Sequence, residues 1–265
     1  MELIKKDDQI KAFKDQILGF RIKASDEIKE NEYLLQIENT NKFSKGNISG
    51  WIGRAKSKKT FALTMFGAAV SGGIRLYGKF NANKQTDVLW IDTEQSPADV
   101  QKIVRRIKGL VGSENSVFVY GLRPLSPKQR IEAIEFLMNQ HPKAEVMIID
   151  GIRDLLMDIN SAVESTEVMT LLMKWSYERA MHIAAVLHQN KGDGNSRGHI
   201  GTELENKAET IIRITKDETD NDISWIEETY GRGRGFDKFS FTVDENGLPV
   251  IVKPVFDYDD QDVPY

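Results

Sequence analysis

The sequence contains no cysteine among its 265 residues. This absence excludes disulfide bonds, thiol nucleophiles and cysteine-based zinc or iron–sulfur sites, and it is compatible with a reducing cytosol. Histidine is scarce as well, with four residues in all. None of the four has the HExxH spacing or the carboxylate pairing typical of a zinc site, so we predict no transition metal.

Long hydrophobic runs are also missing. The longest apolar stretch, around residues 61–70, is interrupted by Thr64 and Gly67 and is shorter than the roughly 20 residues of a membrane span. The first residues alternate charges of both signs and lack the apolar region of a signal peptide. We therefore predict a soluble, cytoplasmic protein with no membrane partner.

An excess of positive charge is absent too. Lys and Arg total 36 against 40 Asp and Glu, which gives a net charge of −4. The field of the whole molecule therefore does not attract polyanions, and any contact with nucleic acid needs a local basic surface. A hydrophobic fraction of 40% and a charged fraction of 29% are typical of a globular protein with a sizeable core.

Apolar runs and helical stretches alternate from residue 46 onward. The runs at 48–53, 87–92, 116–122, 145–150 and 182–188 are nearly continuous, which is typical of buried parallel strands separated by helices. Four shorter strands follow at 211–215, 224–230, 236–243 and 248–252, with the tight turn Asn246-Gly247 before the last. We predict an α/β fold with a mostly parallel twisted sheet flanked by helices and a C-terminal antiparallel meander.

The same pattern divides the chain into three parts. Residues 1–45 form an N-terminal extension with a helix and a strand, and residues 46–253 form one α/β domain. Residues 254–265 form an acidic tail with four aspartates.

The strongest chemical signal is a phosphate-binding loop between a predicted strand and a predicted helix. Backbone N–H groups at such a helix start surround a β-phosphate, Lys59 would reach the β- and γ-phosphates, and the Thr60 hydroxyl would ligate Mg²⁺. Lys58 stands where the motif has glycine, which leaves the nucleotide affinity open, and a lysine-rich turn before a helix is the alternative. The loop consists of Gly53, Arg54, Ala55, Lys56, Ser57, Lys58, Lys59 and Thr60.

Two carboxylates follow predicted strands further along. Glu94 comes just after the strand 87–92, where it could activate a water for attack on a γ-phosphate. Asp150 ends the run 145–150, as the aspartate that holds Mg²⁺ does in a Walker B strand. The alternatives are a carboxylate at a helix N-terminus for Glu94 and a turn aspartate for Asp150. Loop, glutamate and aspartate in this order predict an ATP and Mg²⁺ site.

The order of these residues resembles that of RecA-type ATPases, whose glutamate lies on the strand after the phosphate loop. The resemblance spans about residues 46–252 and implies a RecA-like P-loop ATPase core. It also implies that Gln189, at the end of the strand 182–188, senses the γ-phosphate, with His188 beside it. A packed or surface histidine is the alternative for His188.

A narrower resemblance concerns hexameric replicative helicases of the DnaB and plasmid RepA type. The segment 191–214 is similar to their channel loop and following strand, and 229–249 is similar to their C-terminal hairpin. The resemblance implies that Arg234 reaches the γ-phosphate of the neighbouring subunit and that Arg232 is its basic companion. The flanking glycines could instead mark an exposed hairpin.

Residues 191–202 hold four glycines that would let the backbone approach a phosphate chain. Lys191, Arg197 and His199 are the candidate contacts to single-stranded DNA, and a flexible surface loop is the alternative. Another basic group, formed by Lys102, Arg105, Arg106 and Lys108, is predicted to be a solvated helix face.

The combined resemblance predicts an ATPase that assembles as a homo-oligomeric, hexameric ring. It would act as a helicase-like motor in replication or mobilisation of a genetic element, because similar chains are encoded by bacterial mobilisable and integrative elements. An element-encoded primase, relaxase or transposase would be its partner. One alternative is a slow ATPase switch or scaffold that recruits such partners without translocating, and another is a recombinase-like filament protein.

Overall fold

The structure is a computed structural model that describes residues 2–189 and 198–252, with side chains from residue 10 onward. Contacts divide the chain into two units, residues 1–31 and 32–265. The first unit contains helix α1 (Glu2–Gly19), whose apolar residues Ile10, Phe13 and Ile17 are exposed. The N-terminal extension predicted to end at residue 45 therefore includes two strands that belong to the second unit.

The second unit contains the remaining elements of the described chain. The helices are α2 (Lys59–Gly72), α3 (Pro97–Val111), α4 (Pro127–Gln140), α5 (Ala162–Arg179) and α6 (Gly198–Lys207), and a 3₁₀ turn covers Ile152–Leu155. The strands are β1 (Tyr33–Ile37), β2 (Thr40–Ser44), β3 (Ile48–Gly53), β4 (Arg75–Leu76), β5 (Phe80–Ala82), β6 (Asp87–Asp92), β7 (Val117–Gly121), β8 (Ala144–Asp150), β9 (His182–His188), β10 (Thr210–Lys216), β11 (Ser224–Gly231), β12 (Phe239–Val243) and β13 (Pro249–Ile251).

The main sheet has the strand order β13-β12-β11-β10-β3-β9-β8-β6-β7. The six strands from β10 to β7 are parallel, and β11, β12 and β13 continue the sheet in antiparallel pairs. The predicted α/β fold with its C-terminal antiparallel meander is thus confirmed. A smaller antiparallel sheet has the order β2-β1-β5-β4.

Both faces of the main sheet are covered, which explains the nearly continuous apolar strands. Every residue of β3 is buried. Helices α2 and α3 pack on one face around Trp51 and Trp90, and α4, α5 and α6 pack on the other around Leu172 and Leu204. Packing of these apolar layers holds the strands in place and thereby fixes the positions at which the loops leave the sheet.

Three helices begin with a serine that accepts a hydrogen bond from a backbone N–H of the first turn. Ser96 caps α3, Ser126 caps α4 and Ser161 caps α5. Such caps satisfy the otherwise unpaired N–H groups and define where a helix starts. The caps therefore fix where the short loops after β6 and β7 end.

No helix within residues 2–189 and 198–252 is both long and apolar enough to cross a bilayer. The predicted nucleic-acid contacts Lys191 and Arg197 and the predicted acidic tail 254–265 lie outside the described residues.

Candidate functional site

A cavity of about 410 Å³ lies at the carboxyl edge of the main sheet, where β3, β6, β8 and β9 end together. This edge is where open parallel sheets bind ligands. The cavity is lined by Lys56, Ser57, Lys58, Lys59, Thr60, Phe61, Asp92, Glu94, Gln95, Arg106, Asp150 and His188.

The loop between β3 and α2 is tightly packed. A Cβ atom at Gly53 would lie 2.3 Å from the carbonyl oxygen of Ile214 and 2.6 Å from the Ser57 hydroxyl, so glycine is required there. Lys58 adopts a left-handed backbone conformation with φ 65°, which costs a non-glycine residue about 1–2 kcal/mol. Its ammonium donates to the Asp222 carbonyl at 2.6 Å. The loop thus accommodates lysine in place of the motif's glycine by accepting local strain.

Lys59 occupies the centre of the cavity wall and is only 6% exposed. Its ammonium donates to the carbonyls of Gly53 at 2.9 Å and Arg54 at 3.0 Å and lies 2.9 Å from Nδ1 of His188. Burial lowers the pKa of Lys59 to about 8, although Asp150 and Glu94 oppose the shift. The charged form therefore predominates at neutral pH and faces the cavity from within the loop.

Negative charge gathers beside Thr60, whose hydroxyl donates to Oδ2 of Asp150 at 2.9 Å. Burial raises the pKa of Asp150 to about 7, and the neighbouring Asp92 adds to the shift. Asp92 is itself buried, which raises its pKa, and it accepts from the backbone N–H of Gln95 at 2.7 Å. A half-buried carboxylate with an adjacent hydroxyl fits the preferences of Mg²⁺.

Within residues 2–189 and 198–252 no group of three His, Cys, Asp or Glu side chains could hold a metal ion by itself. Mg²⁺ is usually held by one or two protein ligands together with waters and phosphate oxygens. Thr60 and Asp150 therefore fit Mg²⁺ that arrives with a phosphate ligand.

We expect an Asp150→Asn variant to be more heat-stable than the wild type at pH 8 but not at pH 4. An unfolded aspartate ionises near pH 3.9, whereas the folded carboxyl keeps its proton up to about pH 7. The folded state therefore binds the extra proton, and this group destabilises the protein progressively as the pH rises from about 4 to 7. Thermal melts without Mg²⁺ should show a gain of about 3–6 °C at pH 8.

An Asp237→Asn variant is the matched control, since Asp237 is exposed. An equal change in melting temperature at pH 4 and pH 8 would contradict the assigned cause.

Glu94 faces the cavity near His188. Its Oε2 lies 3.5 Å from Nε2 of His188, and this contact lowers the pKa of Glu94 against the opposing effect of burial. The first turn of α3 has its own acidic residue, Asp99, whose N–H bonds to the Ser96 cap. Glu94 lies before the Ser96 cap, whereas Asp99 is the acidic residue of the first turn of α3.

The residue before Glu94 ties its loop to the end of β8. The Thr93 hydroxyl is shared among the carbonyls of Asp150 at 3.1 Å and Gly151 at 3.0 Å and Oδ2 of Asp154 at 3.0 Å. Gly151 has a φ of 111°, and a Cβ atom there would lie 2.2 Å from this hydroxyl. Glu94 and Asp150 are thus held in fixed relation.

The side chain of Arg130, in α4, forms hydrogen bonds to the same loops. Its guanidinium donates to the carbonyls of Asp154 at 2.6 Å, Arg123 at 3.1 Å, Leu122 at 3.2 Å and Thr93 at 3.4 Å. One side chain therefore connects the loops that follow β6, β7 and β8.

Gln189 does not line this cavity, although its neighbour His188 does. The backbone N–H of Gln189 donates to the Gly53 carbonyl at 3.0 Å, and its side chain lines a second cavity. The side chain that contacts both Lys59 and Glu94 is His188.

Arg232 and Arg234 lie at the opposite edge of the sheet. Gly231 pairs with Thr210 at the start of β10, whereas Arg213, three residues further along β10, pairs with Ile52 beside the phosphate loop. Three residues of a strand span about 10 Å. Both arginines are exposed, as is His199 in the first turn of α6.

Arg106 corrects the prediction of a solvated basic face on α3. Its guanidinium lies 4.0 Å from the centre of the Phe61 ring, and Nε donates to the Gly247 carbonyl at 3.2 Å. Burial lowers the pKa of Arg106. The spacing of three from the buried Ile103 is a signal that could have placed Arg106 toward the protein.

Comparisons with known proteins concern the family and the fold of the chain. Residues 26–194 match the model of a family described as the AAA domain, a range that contains the phosphate loop, Glu94 and Asp150. No curated protein matches the sequence. The fold is similar to the crystal structure of a KaiC-like protein from the hyperthermophilic archaeon Pyrococcus horikoshii OT3, with a TM-score of 0.57 and 17% identity over 82% of this chain and 93% of that one. At this identity the likeness concerns the fold.

Proposed function

Because the chain belongs to the AAA domain family and has a RecA-like fold, we propose that it is a Mg²⁺-dependent ATPase with its active site at the carboxyl edge of the main sheet. One observation carries the proposal. Lys59, Thr60, Asp150 and Glu94 line a single cavity of about 410 Å³. Together they supply a cation for phosphate, a metal-binding pair and a carboxylate that can act as a base.

The phosphate chain of ATP would lie along the loop between β3 and α2, where backbone N–H groups at the helix start favour negative charge. Lys59 would exchange its bonds to the Gly53 and Arg54 carbonyls for β- and γ-phosphate oxygens. Thr60 and Asp150 would hold Mg²⁺, which neutralises phosphate charge when bound. These exchanges replace the contacts among the chain's own groups with contacts to the nucleotide.

Glu94 would act as the general base. Its lowered pKa keeps it ionised at neutral pH, and it can accept a proton from a water that attacks the γ-phosphate. His188 bridges Lys59 and Glu94, so we assign γ-phosphate sensing to His188. Gln189, to which the resemblance gave that role, would hold the loop through its backbone N–H.

Arg232 and Arg234 support a proposal of assembly. Neither arginine lines the cavity of its own chain, and Gly231, the residue before Arg232, pairs with the first residue of β10. They suit a role in which Arg234 reaches the γ-phosphate of a neighbouring subunit and Arg232 assists it, as in a hexameric ring. Turnover per subunit should then rise with protein concentration.

The finer proposal is a helicase-like motor on single-stranded DNA that serves replication or mobilisation of a genetic element. Lys191, Arg197 and His199 would contact the strand, and a primase, relaxase or transposase of the element would be the partner. A second candidate is a slow ATPase switch or scaffold, and the strained Lys58 in the phosphate loop favours it.

ATP turnover with Mg²⁺, measured with and without single-stranded DNA over a range of protein concentrations, tests these proposals. Strong stimulation by DNA supports the motor. Turnover that is indifferent to DNA supports the switch or scaffold, and no turnover together with no nucleotide binding removes the ATPase proposal.

We expect Arg106→Ala to weaken binding of ATP about tenfold while leaving the affinity for tripolyphosphate unchanged. Arg106 packs on Phe61 in the wall of the same cavity, and we expect the nucleoside end of ATP to lie beside it. A guanidinium that packs on a ring can also stack on a base. Calorimetric titration with both ligands measures the difference.

Arg105→Ala removes a neighbouring charge of α3 and serves as the control. An equal loss of affinity for ATP and tripolyphosphate would mean that Arg106 acts on phosphate charge instead.

A further inference from the structure

A second cavity, of about 450 Å³, lies beside the phosphate loop. Ser57 is the one described residue that lines both cavities. The second cavity is lined by Arg54, Ala55, Ser57, Gln189, Arg213, Ile214, Thr215, Lys216 and Glu218.

The charge of its wall is mainly positive. Arg54, Arg213 and Lys216 contribute cations, and Glu218 is the one acidic residue among the described lining residues. Arg213 has an ion pair with Glu227 of β11 at 3.9 Å, which is long for such a contact. Three cations against one acidic residue in the lining make this cavity a local attractor for anions.

Two polar atoms on this wall are buried without a hydrogen-bond partner in the described structure, Nε of Arg213 and the Ser57 hydroxyl. Buried donors are normally satisfied, so each unpaired donor calls for an explanation. The Arg213 side chain is partly exposed, so its terminal guanidinium nitrogens can donate to an oxyanion in the cavity, and arginine forks match the geometry of phosphate oxygens. The cavity therefore offers the partners that a phosphate group needs.

We propose that this second cavity binds a phosphate group, supplied by the backbone of a single-stranded nucleic acid, and that Arg213 is its main ligand. The position of Gln189 supports this source, because the chain continues from Gln189 into the segment predicted to contact DNA. This inference rests on the proposed action on nucleic acid and deepens it. A phosphate bound here would touch Arg54 and Ser57, two residues of the loop that holds the phosphates of ATP.

The consequence is a direct connection between the two ligands. Occupation of the second cavity would draw Arg54 and Ser57 toward the bound phosphate and thereby change how the loop presents Lys59. Nucleic acid would then alter ATP turnover through the phosphate loop itself.

The test compares Arg213→Gln, which removes the charge, with Arg213→Lys, which keeps it. Affinity for a fluorescent thymidine oligonucleotide is measured by anisotropy over a range of salt concentrations, and a fluorescent ATP analogue is titrated in parallel. We expect Arg213→Gln to weaken oligonucleotide binding about tenfold and to lower the slope of log K against log salt by about one. Arg213→Lys should retain most of the affinity, and both variants should bind the ATP analogue as the wild type does.

Lys216→Gln provides a second test at an exposed position, in case Arg213→Gln lowers the melting temperature. It should weaken oligonucleotide binding in the same direction. If neither variant changes the affinity or the salt slope while both bind the ATP analogue normally, the proposal is overturned.

Inorganic phosphate separates the two sources of the same chemistry. If phosphate raises the melting temperature of the wild type but not of Arg213→Gln, while oligonucleotide affinity is equal in both, the cavity binds free phosphate and the assignment to nucleic acid is overturned. Failure of the ATPase proposal would be recognised separately, since loss of ATP analogue binding in the wild type does not involve Arg213.

Discussion

A Lys59→Met variant is expected to lose at least about 100-fold in ATP turnover and most of its affinity for ATP. Lys59 lines the cavity from within the loop, is only 6% exposed and is held by two loop carbonyls. Removal of a single preorganised donor from a developing negative charge typically costs a factor of about 10²–10³. Methionine keeps an unbranched stem of similar length, so the packing of α2 is retained.

The measurement is steady-state turnover with Mg²⁺, combined with calorimetric titration of ATP. Lys108→Met, on the exposed face of α3, is the control for the loss of one lysine. The Lys59→Met variant is expected to be no less heat-stable than the wild type, since it removes a buried charge. Wild-type turnover in a folded Lys59→Met protein would show that catalysis occurs elsewhere.

Glu94→Gln is expected to lower turnover by a factor of about 10²–10⁴ while ATP still binds. Glutamine has the same shape but cannot take a proton from water. Thr93 and Asp92 fix the backbone of this segment, so the substitution should not displace the loop. The expected result is a variant that holds ATP without hydrolysing it.

Binding of a fluorescent ATP analogue, followed by a single-turnover measurement, separates the two effects. Glu132→Gln on the exposed surface of α4 is the matched control. Equal losses in affinity and in turnover would indicate that Glu94 positions the loop rather than activating water.

The sequence predicted the central sheet because its signal is strong and local. The predicted strand 87–92 coincides with β6, and the predicted strand 182–188 coincides with β9. Residues that follow parallel strands must meet at one edge, which brought Lys59, Glu94 and Asp150 together in advance of any coordinates. The strands β4 and β5 were not predicted, since segments of two and three residues carry too little alternation to recognise.

The roles of some site residues were not predicted, because they depend on which way a side chain points rather than on where the residue lies in the chain. His188 and Gln189 are consecutive at the end of β9, and consecutive side chains of a strand point to opposite sides. A sequence pattern cannot decide which of the two faces the nucleotide cavity. Arg106 depends on the rotation of α3 and on a turn 141 residues away in the chain, where it bonds to Gly247.

The bonds of Thr93 and Arg130 have a consequence for how this site can be regulated. They make the ends of β6 and β8 and the start of α4 a single stiff body, whose parts separate only if several bonds to backbone carbonyls break together. Lys59 is held by bonds that a phosphate can replace one for one. A partner that regulates this site would therefore change the conformation of the phosphate loop and would hardly move the carboxylates. The turnover number would then depend on the conformation of this one short loop.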